Sequence, residues 1–139
     1  VCQMGVYNST AINRNIFVIA YGSKTDIRIT YSPDCGKSWD SNNITVVDPE
    51  AAVAFGQGTS VACDNDKTCI SYYKKGKVYI IYSLDSGLCW EPNNSKEIDI
   101  VGNRIMGQRT SIKAINGIIY IAYYHCSNKC LKLAIVEKI

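Results

Sequence analysis

The chain repeats itself with a period of 51 residues. The segment Ser32-Pro33-Asp34-Cys35-Gly36-Lys37-Ser38-Trp39 returns as Ser83-Leu84-Asp85-Ser86-Gly87-Leu88-Cys89-Trp90. The same ungapped offset links Gly5, Gly56 and Gly107, then Ser9, Ser60 and Ser111. It also links Ile19, Ile70 and Ile121, then Tyr21, Tyr72 and Tyr123, and finally Ile29, Ile80 and Leu131. Chance supplies one such series, not five in register. A chain made of copies of one unit buries its apolar surface by stacking each copy on the next.

Within a unit the pattern is strand-like. Ile16 to Tyr21 and Ile27 to Tyr31 are short runs rich in β-branched and aromatic residues, separated by a turn-forming stretch. The second unit gives Thr68 to Tyr73 and Val78 to Tyr82, and the third Ile118 to Tyr124 and Leu131 to Val136. A shorter strand is expected ahead of each pair, near Ser9, Ser60 or Ser111. A fourth is expected after the first two pairs, over Asn43 to Val47 and Glu97 to Val101. No helical periodicity of useful length occurs. Four antiparallel strands per unit of about 50 residues is the signature of a β-propeller blade. The expectation is a single all-β domain over 1–139, with blades at about 5–55, 56–106 and 107–139. In the repeated box the Asp can tie the turn from third to fourth strand by accepting backbone N–H groups. The Gly permits positive φ, and the Trp can pack between blades.

Seven cysteines in 139 residues point to an oxidising compartment. Three N-x-[ST] sequons, at Asn8, Asn43 and Asn93, are candidate glycosylation sites and agree with secretion. The chain opens without a basic and apolar leader, so a secreted product would be the mature form. A net charge of +3 does not indicate a nucleic-acid binder, and no apolar run approaches the roughly 20 residues of a spanning helix. Cys63 with Cys69, and Cys126 with Cys130, each bracket a turn between strands and are expected to bridge. With His125 as the lone histidine, neither spacing supplies a tetrahedral metal set, and no cofactor is expected. Cys2, Cys35 and Cys89 are left as an odd number, so one thiol is unpaired or bonds another chain. A Cys35–Cys89 bridge and an interchain Cys2 are the candidates.

The S-x-D-x-G-x-x-W element resembles the Asp box, or bacterial neuraminidase repeat, of sialidase-like propellers. Both copies match it at every defined position, at Ser32, Asp34, Gly36 and Trp39 and at Ser83, Asp85, Gly87 and Trp90. The resemblance implies a six-bladed fold with boxes on the face opposite the ligand. It does not select a function, because sialidases, other glycoside hydrolases, receptor propellers and sugar-binding proteins all carry such boxes. The third unit departs from the pattern, with Ala134, Val136 and Lys138 at the box positions and no fourth strand before Ile139. Three blades do not close a ring, so the expectation is half of a six-bladed propeller completed by a second identical chain. The alternative is a fragment of a longer, processed propeller.

The predicted ligand face, at the end opposite the boxes, collects Lys24, Lys74, Lys75, Arg104, Arg109, His125 and Lys129, with Tyr7, Tyr73 and Tyr124. Its acids are Asp26, Asp48 and Glu50. Tyr7, Tyr73, Arg104, Arg109, Tyr124 and His125 are the candidate ligand contacts, suited to a negatively charged or hydroxyl-rich ligand. Asn8, Thr59 and Thr110, opening the inner strands, are expected to face the pore. A sialidase-type reaction needs three Arg, a Tyr nucleophile paired with Glu, and an Asp acid/base, which four Arg and four Glu do not assemble in any recognisable motif. Asp48 and Glu50 are the close acidic pair on that face, where other glycosidases need two positioned carboxylates. The sequence therefore points to a non-catalytic, secreted glycan-binding propeller acting multivalently on extracellular glycans, acidic ones included. The alternatives are an assembly component of an extracellular particle and a residual glycoside hydrolase.

Overall fold

The computed structural model describes residues 6–23, 25–51, 58–102 and 109–137. Three antiparallel sheets follow one another along the chain. The first holds β1 (Val6–Asn13), β2 (Ile16–Gly22), β3 (Ile27–Ser32) and β4 (Ile44–Asp48), in that order. The second holds β5 (Ser60–Asp64), β6 (Lys67–Lys74), β7 (Lys77–Ser83) and β8 (Ser95–Ile100). Among the described residues the third has three strands, β9 (Thr110–Ile115), β10 (Ile118–His125) and β11 (Cys130–Glu137). These are the meanders expected of propeller blades, and every strand sits within a few residues of its sequence-based bounds. In the third blade Val136 lies opposite Ile119, where the other blades set the box residues Ser32 and Ser83 opposite Phe17 and Thr68, so β11 reaches the box position with an apolar residue.

Alternating side chains face the blade before and the blade after. One core joins blades 1 and 2, with Val18, Ala20 and Ile29 against Ile70, Tyr72 and Ile81, all at most 1% exposed. The other joins blades 2 and 3, with Cys69, Val78 and Ile80 against Ile119 and Ile121. Burial of each such aliphatic side chain contributes about 1.5–3 kcal/mol, so the stack is held at its seams.

The seams also repeat their polar contacts. Ser9 Oγ accepts from Val61 N at 3.1 Å, and Ser60 Oγ from Ile112 N at 3.2 Å. Thr59 Oγ1 donates to Ala20 O at 3.4 Å, and Thr110 Oγ1 to Ser71 O at 3.0 Å. Tyr72 OH reaches Asp48 Oδ2, and Tyr123 OH reaches Asp99 Oδ2, both at 2.8 Å. Thr59 and Thr110 are thus buried in seams and do not face the pore, which corrects the expectation for them; Asn8 is exposed.

The box turns work as their residues suggest. Asp34 accepts from Ser32 Oγ, Ser38 N and Ser38 Oγ at 2.7–2.8 Å. Asp85 accepts from Ser83 Oγ, Leu88 N and Cys89 N. Gly36 and Gly87 take φ of 88° and 92°, where a Cβ would be strained. Each Trp Nε1 donates to its box glycine carbonyl, at 3.0 Å from Trp39 and 2.9 Å from Trp90.

The described cysteines stand as thiols, and the register explains why the expected hairpin bridges are missing. Cys69 pairs with Ala62, and Cys63 pairs with Thr68. Cys63 and Cys69 therefore project from opposite faces of the sheet, a geometry that no disulfide spans. Cys130 pairs with His125, leaving Cys126 inside the turn. Cys35 lies by Asn15, with Sγ 3.8 Å from Asn15 Oδ1, and Cys89 is turned onto Asp85, so neither thiol is directed at the other. Cys2 falls outside the described residues.

Candidate functional site

The meander topology puts the openings of β1, β5 and β9 at the same end as the β2–β3, β6–β7 and β10–β11 turns, opposite the boxes. Tyr7, Gly58 and Arg109 are one position of the repeat, within two residues of the start of each inner strand. The structure brings them together. The Arg109 guanidinium carbon lies 5.4 Å from the centroid of the Tyr7 ring, within cation–π range. Gly58 lies between them, and a Cβ there would be in van der Waals contact with both, 3.5 Å from Arg109 Cγ and 3.9 Å from Tyr7 Cβ. Side chains from blades 1 and 3 thus meet across a blade that contributes only backbone. Tyr7 has φ of 62°, beside the register shift between Val6 and Ser9. For a bulky residue that conformation costs about 1–3 kcal/mol and is characteristic of functional positions.

Arg109 is exposed, and among the described residues no carboxylate pairs with it. The lysines differ. Lys74 Nζ lies 2.9 Å and 3.0 Å from the two oxygens of Asp48 and 3.7 Å from Glu50, and Lys75 also meets Glu50 at 3.7 Å. Much of the predicted basic face is therefore neutralised locally. Burial raises the Asp48 pKa, but Lys74 and Tyr72 outweigh it and leave the carboxyl below its usual value. Asp48 is consequently ionised at neutral pH and fully engaged, a poor proton donor for glycoside cleavage.

The remaining candidates do other work. Tyr73 is 1% exposed and donates to Tyr124 O at 2.7 Å; burial pushes its phenol up to about 12. His125 is 7% exposed. Its Nδ1 accepts from Asn128 N at 3.2 Å, and Nε2 lies 3.9 Å from Asp99. His125 is the repeat counterpart of Lys74, and Asp99 that of Asp48, so this side chain belongs to a seam. Lys132 completes that seam, 3.0 Å from Asp99. Tyr73 and His125 are thus not available to a ligand, which corrects the sequence reading. Tyr124 is half-buried and Lys129 exposed, while Lys24 and Arg104 lie outside the described residues. Tyr72 and Tyr123 pair with carboxylates, but burial raises both phenols, which opposes a nucleophilic phenolate. The Tyr7–Arg109 pairing was accessible to sequence reasoning, because the 51-residue offset aligns the two positions. Gly58 as the spacer between them was missed.

An open guanidinium beside an aromatic face, at the end of the stack opposite the boxes, can hold an anionic or hydroxyl-bearing group by charge-assisted hydrogen bonds and stacking. The fold is that of three consecutive β-propeller blades, and solved propeller structures share it. The chain is similar to a point mutant of NanB sialidase from Streptococcus pneumoniae, with TM-score 0.63 and 16% identity over 85% of this chain and 18% of that one. It is similar to a mutant of the GH43 protein BlXynB from Bacillus licheniformis, with TM-score 0.54 and 10% identity over 96% of this chain and 31% of that one. It is also similar to a xylan β-1,4-xylosidase from Bacillus halodurans, with TM-score 0.51 and 12% identity over 95% and 31%. The chain spans less than a third of the length of each of these. No protein-family profile matches it, and no curated protein matches its sequence.

Proposed function

We propose that the chain is a secreted, non-catalytic glycan-binding propeller module whose ligand sits at the Tyr7–Gly58–Arg109 end of the inner strands. The observation that carries this reading is the Arg109 guanidinium, without a carboxylate among the described residues, held over the Tyr7 ring. The box resemblance and the likeness in fold to glycan-cleaving enzymes support a glycan ligand. The engaged state of Asp48 supports binding without turnover. Repeated blades would make weak sites multivalent. The test is a glycan array probed with the native protein and with Arg109→Ala. Binding to an acidic glycan that weakens at least about tenfold in the variant is expected, and silence toward neutral, sialylated and sulfated glycans alike refutes the proposal. Turnover of a fluorogenic sialoside would refute its non-catalytic part.

A further inference from the structure

The turn between β9 and β10 is Asn116-Gly117, closed by the pairing of Ile115 with Ile118. Both residues take positive φ, 53° and 78°, as a two-residue type I′ hairpin turn requires and Asn-Gly favours. Asn116 alone among the asparagines of the chain precedes a glycine. That dipeptide carries a specific chemical liability. Glycine has no side chain to shield its amide nitrogen, which can attack the side-chain carbonyl of the asparagine before it. Asn116 is exposed, and so are its repeat counterparts Arg14 and Asn65 in the matching turns of the other blades. The exposure therefore belongs to the position.

The Gly117 amide is held from across a seam. Its N–H donates to Asp64 Oδ2 at 2.6 Å, from the last residue of β5 in the preceding blade. Asp64 Oδ1 accepts from Asn65 Nδ2 at 3.3 Å, so both carboxylate oxygens are engaged. The seam between blades 1 and 2 has the same tie with the opposite polarity. There the counterpart Asn13 donates, through Nδ2, to Asn65 O and to Ser86 Oγ. Asp64 is the version that captures a backbone proton, and attack by Gly117 N requires loss of that proton. A carboxylate at hydrogen-bond distance retains the proton through a charge-assisted bond, and its charge opposes the anion that would form on nitrogen.

We propose that Asn116 is a deamidation site and that Asp64 is the residue that holds it closed. Solvent hydroxide removes the Gly117 amide proton, and the nitrogen attacks Asn116 Cγ. The new N–Cγ bond forms as Cγ–Nδ2 breaks, and ammonia leaves after taking a proton from water, which regenerates hydroxide. Water then opens the cyclic imide at either carbonyl, giving aspartate or isoaspartate with no change of oxidation state. Either product sets a second carboxylate at the turn that Asp64 fastens, two like charges across one seam. Isoaspartate also lengthens the backbone by a methylene, which a two-residue turn closing Ile115 on Ile118 does not absorb. Conversion therefore loosens the seam between blades 2 and 3 at the box end. The site lies at the end opposite Arg109, so the proposal is independent of the glycan-binding reading.

The test is peptide mapping by mass spectrometry of the full chain aged at mildly alkaline pH. It reads the mass gain of amide-to-acid conversion at Asn116, with isoaspartate separated by chromatography. The guanidinium-unfolded parent supplies the unguarded rate, and circular dichroism confirms that each variant is folded. Folded Asp64→Ala should convert at least about tenfold faster than the folded parent, the factor to which loss of a hydrogen bond to a charged group corresponds. Asp64→Asn keeps the size and an acceptor oxygen without the charge and should fall between them; it carries the test if Asp64→Ala does not fold. Asn13→Ala cuts the equivalent tie in the other seam and should leave the rate at the parent value, which separates the guard from general loosening of the stack. Parent conversion as fast as in the unfolded chain, a rate unmoved in both Asp64 variants, or an equal rise in Asn13→Ala overturns the proposal.

Discussion

The two box turns share a motif and a hydrogen-bond scheme, yet they occupy different surroundings. The second lies in the seam between blades 1 and 2. Trp90 packs against the core there, and a Cβ on Gly87 would stand 3.2 Å from Val18 Cγ2 and 3.3 Å from Thr68 Oγ1. The first lies on the open leading face. Trp39 is 44% exposed, edge-on to Phe17 at 5.9 Å, and a Cβ on Gly36 would meet Trp39 alone, at 3.9 Å. The local turn is therefore a property of the eight residues, whereas the packing roles of the Gly and Trp come from the neighbouring blade.

Substitution of the tryptophans should separate the boxes most. Trp90→Ala removes a side chain seated on the core and should cost about 3 kcal/mol, at the low end for such truncations. Trp39→Ala should cost about 1 kcal/mol or less, as expected of a surface position. Denaturant midpoints of the two variants under monomeric conditions decide this, and equal losses would show that Trp90 does not work through the seam. The glycines come next. Both Gly→Ala changes force a Cβ into positive φ, at about 1 kcal/mol, and Gly87→Ala adds crowding against Val18 and Thr68. It should be the worse of the pair by about 1 kcal/mol, and parity would mean that Val18 and Thr68 shift without cost.

The same distinction separates what the sequence revealed from what it did not. The 51-residue offset carries architecture, because Tyr21, Tyr72 and Tyr123 must play one part in each blade, and strand and box positions follow. Phase is a finer quantity. Cys63 and Cys69 flank a turn, but the hairpin is centred on Asn65 and Asp66, which pairs Cys69 with Ala62. Cys126 and Cys130 miss each other by the same single residue. The sequence directs Thr59 and Thr110 to the pore and Tyr73 and His125 to the ligand, yet alternation turns them into seams. A slip of one residue exchanges the two faces of a strand, and spacing alone does not fix it. Arg109 and Tyr7 remained legible because they lie at the start of their strands, where inter-blade offset rather than alternation decides who meets whom.

Acid should act on both boxes. Hydrogen bonds from Ser32 Oγ, then from Ser38, hold Asp34 at about 2. Burial pushes Asp85 up, but Ser83 Oγ and Cys89 N bring it below its usual value. Both folded values are depressed relative to an unfolded Asp near about 3.9. Their contribution is therefore complete above about pH 4 and is lost as pH falls through the folded values. Carboxyl NMR titration should show Asp34 shifting upward in Ser32→Ala, and an unmoved midpoint would remove that hydroxyl from the account.

The smallest expected effect tests the one chemical difference inside the motif. Ser38 donates its hydroxyl to Asp34 Oδ2 at 2.7 Å, and Cys89 offers Asp85 a thiol from the same repeat position. A thiol is the weaker donor. The carboxylate beside it raises the Cys89 pKa, which keeps the thiol protonated and unreactive at neutral pH. Cys89→Ser should restore the hydroxyl bond and stabilise the fold by about 0.5 kcal/mol, as a single hydrogen bond does. Ser38→Cys should cost a similar amount in the first box, because this contact is local and independent of the seam. Opposite changes of comparable size in the two boxes would confirm that independence, and a response confined to the second would show that the seam controls the turn after all.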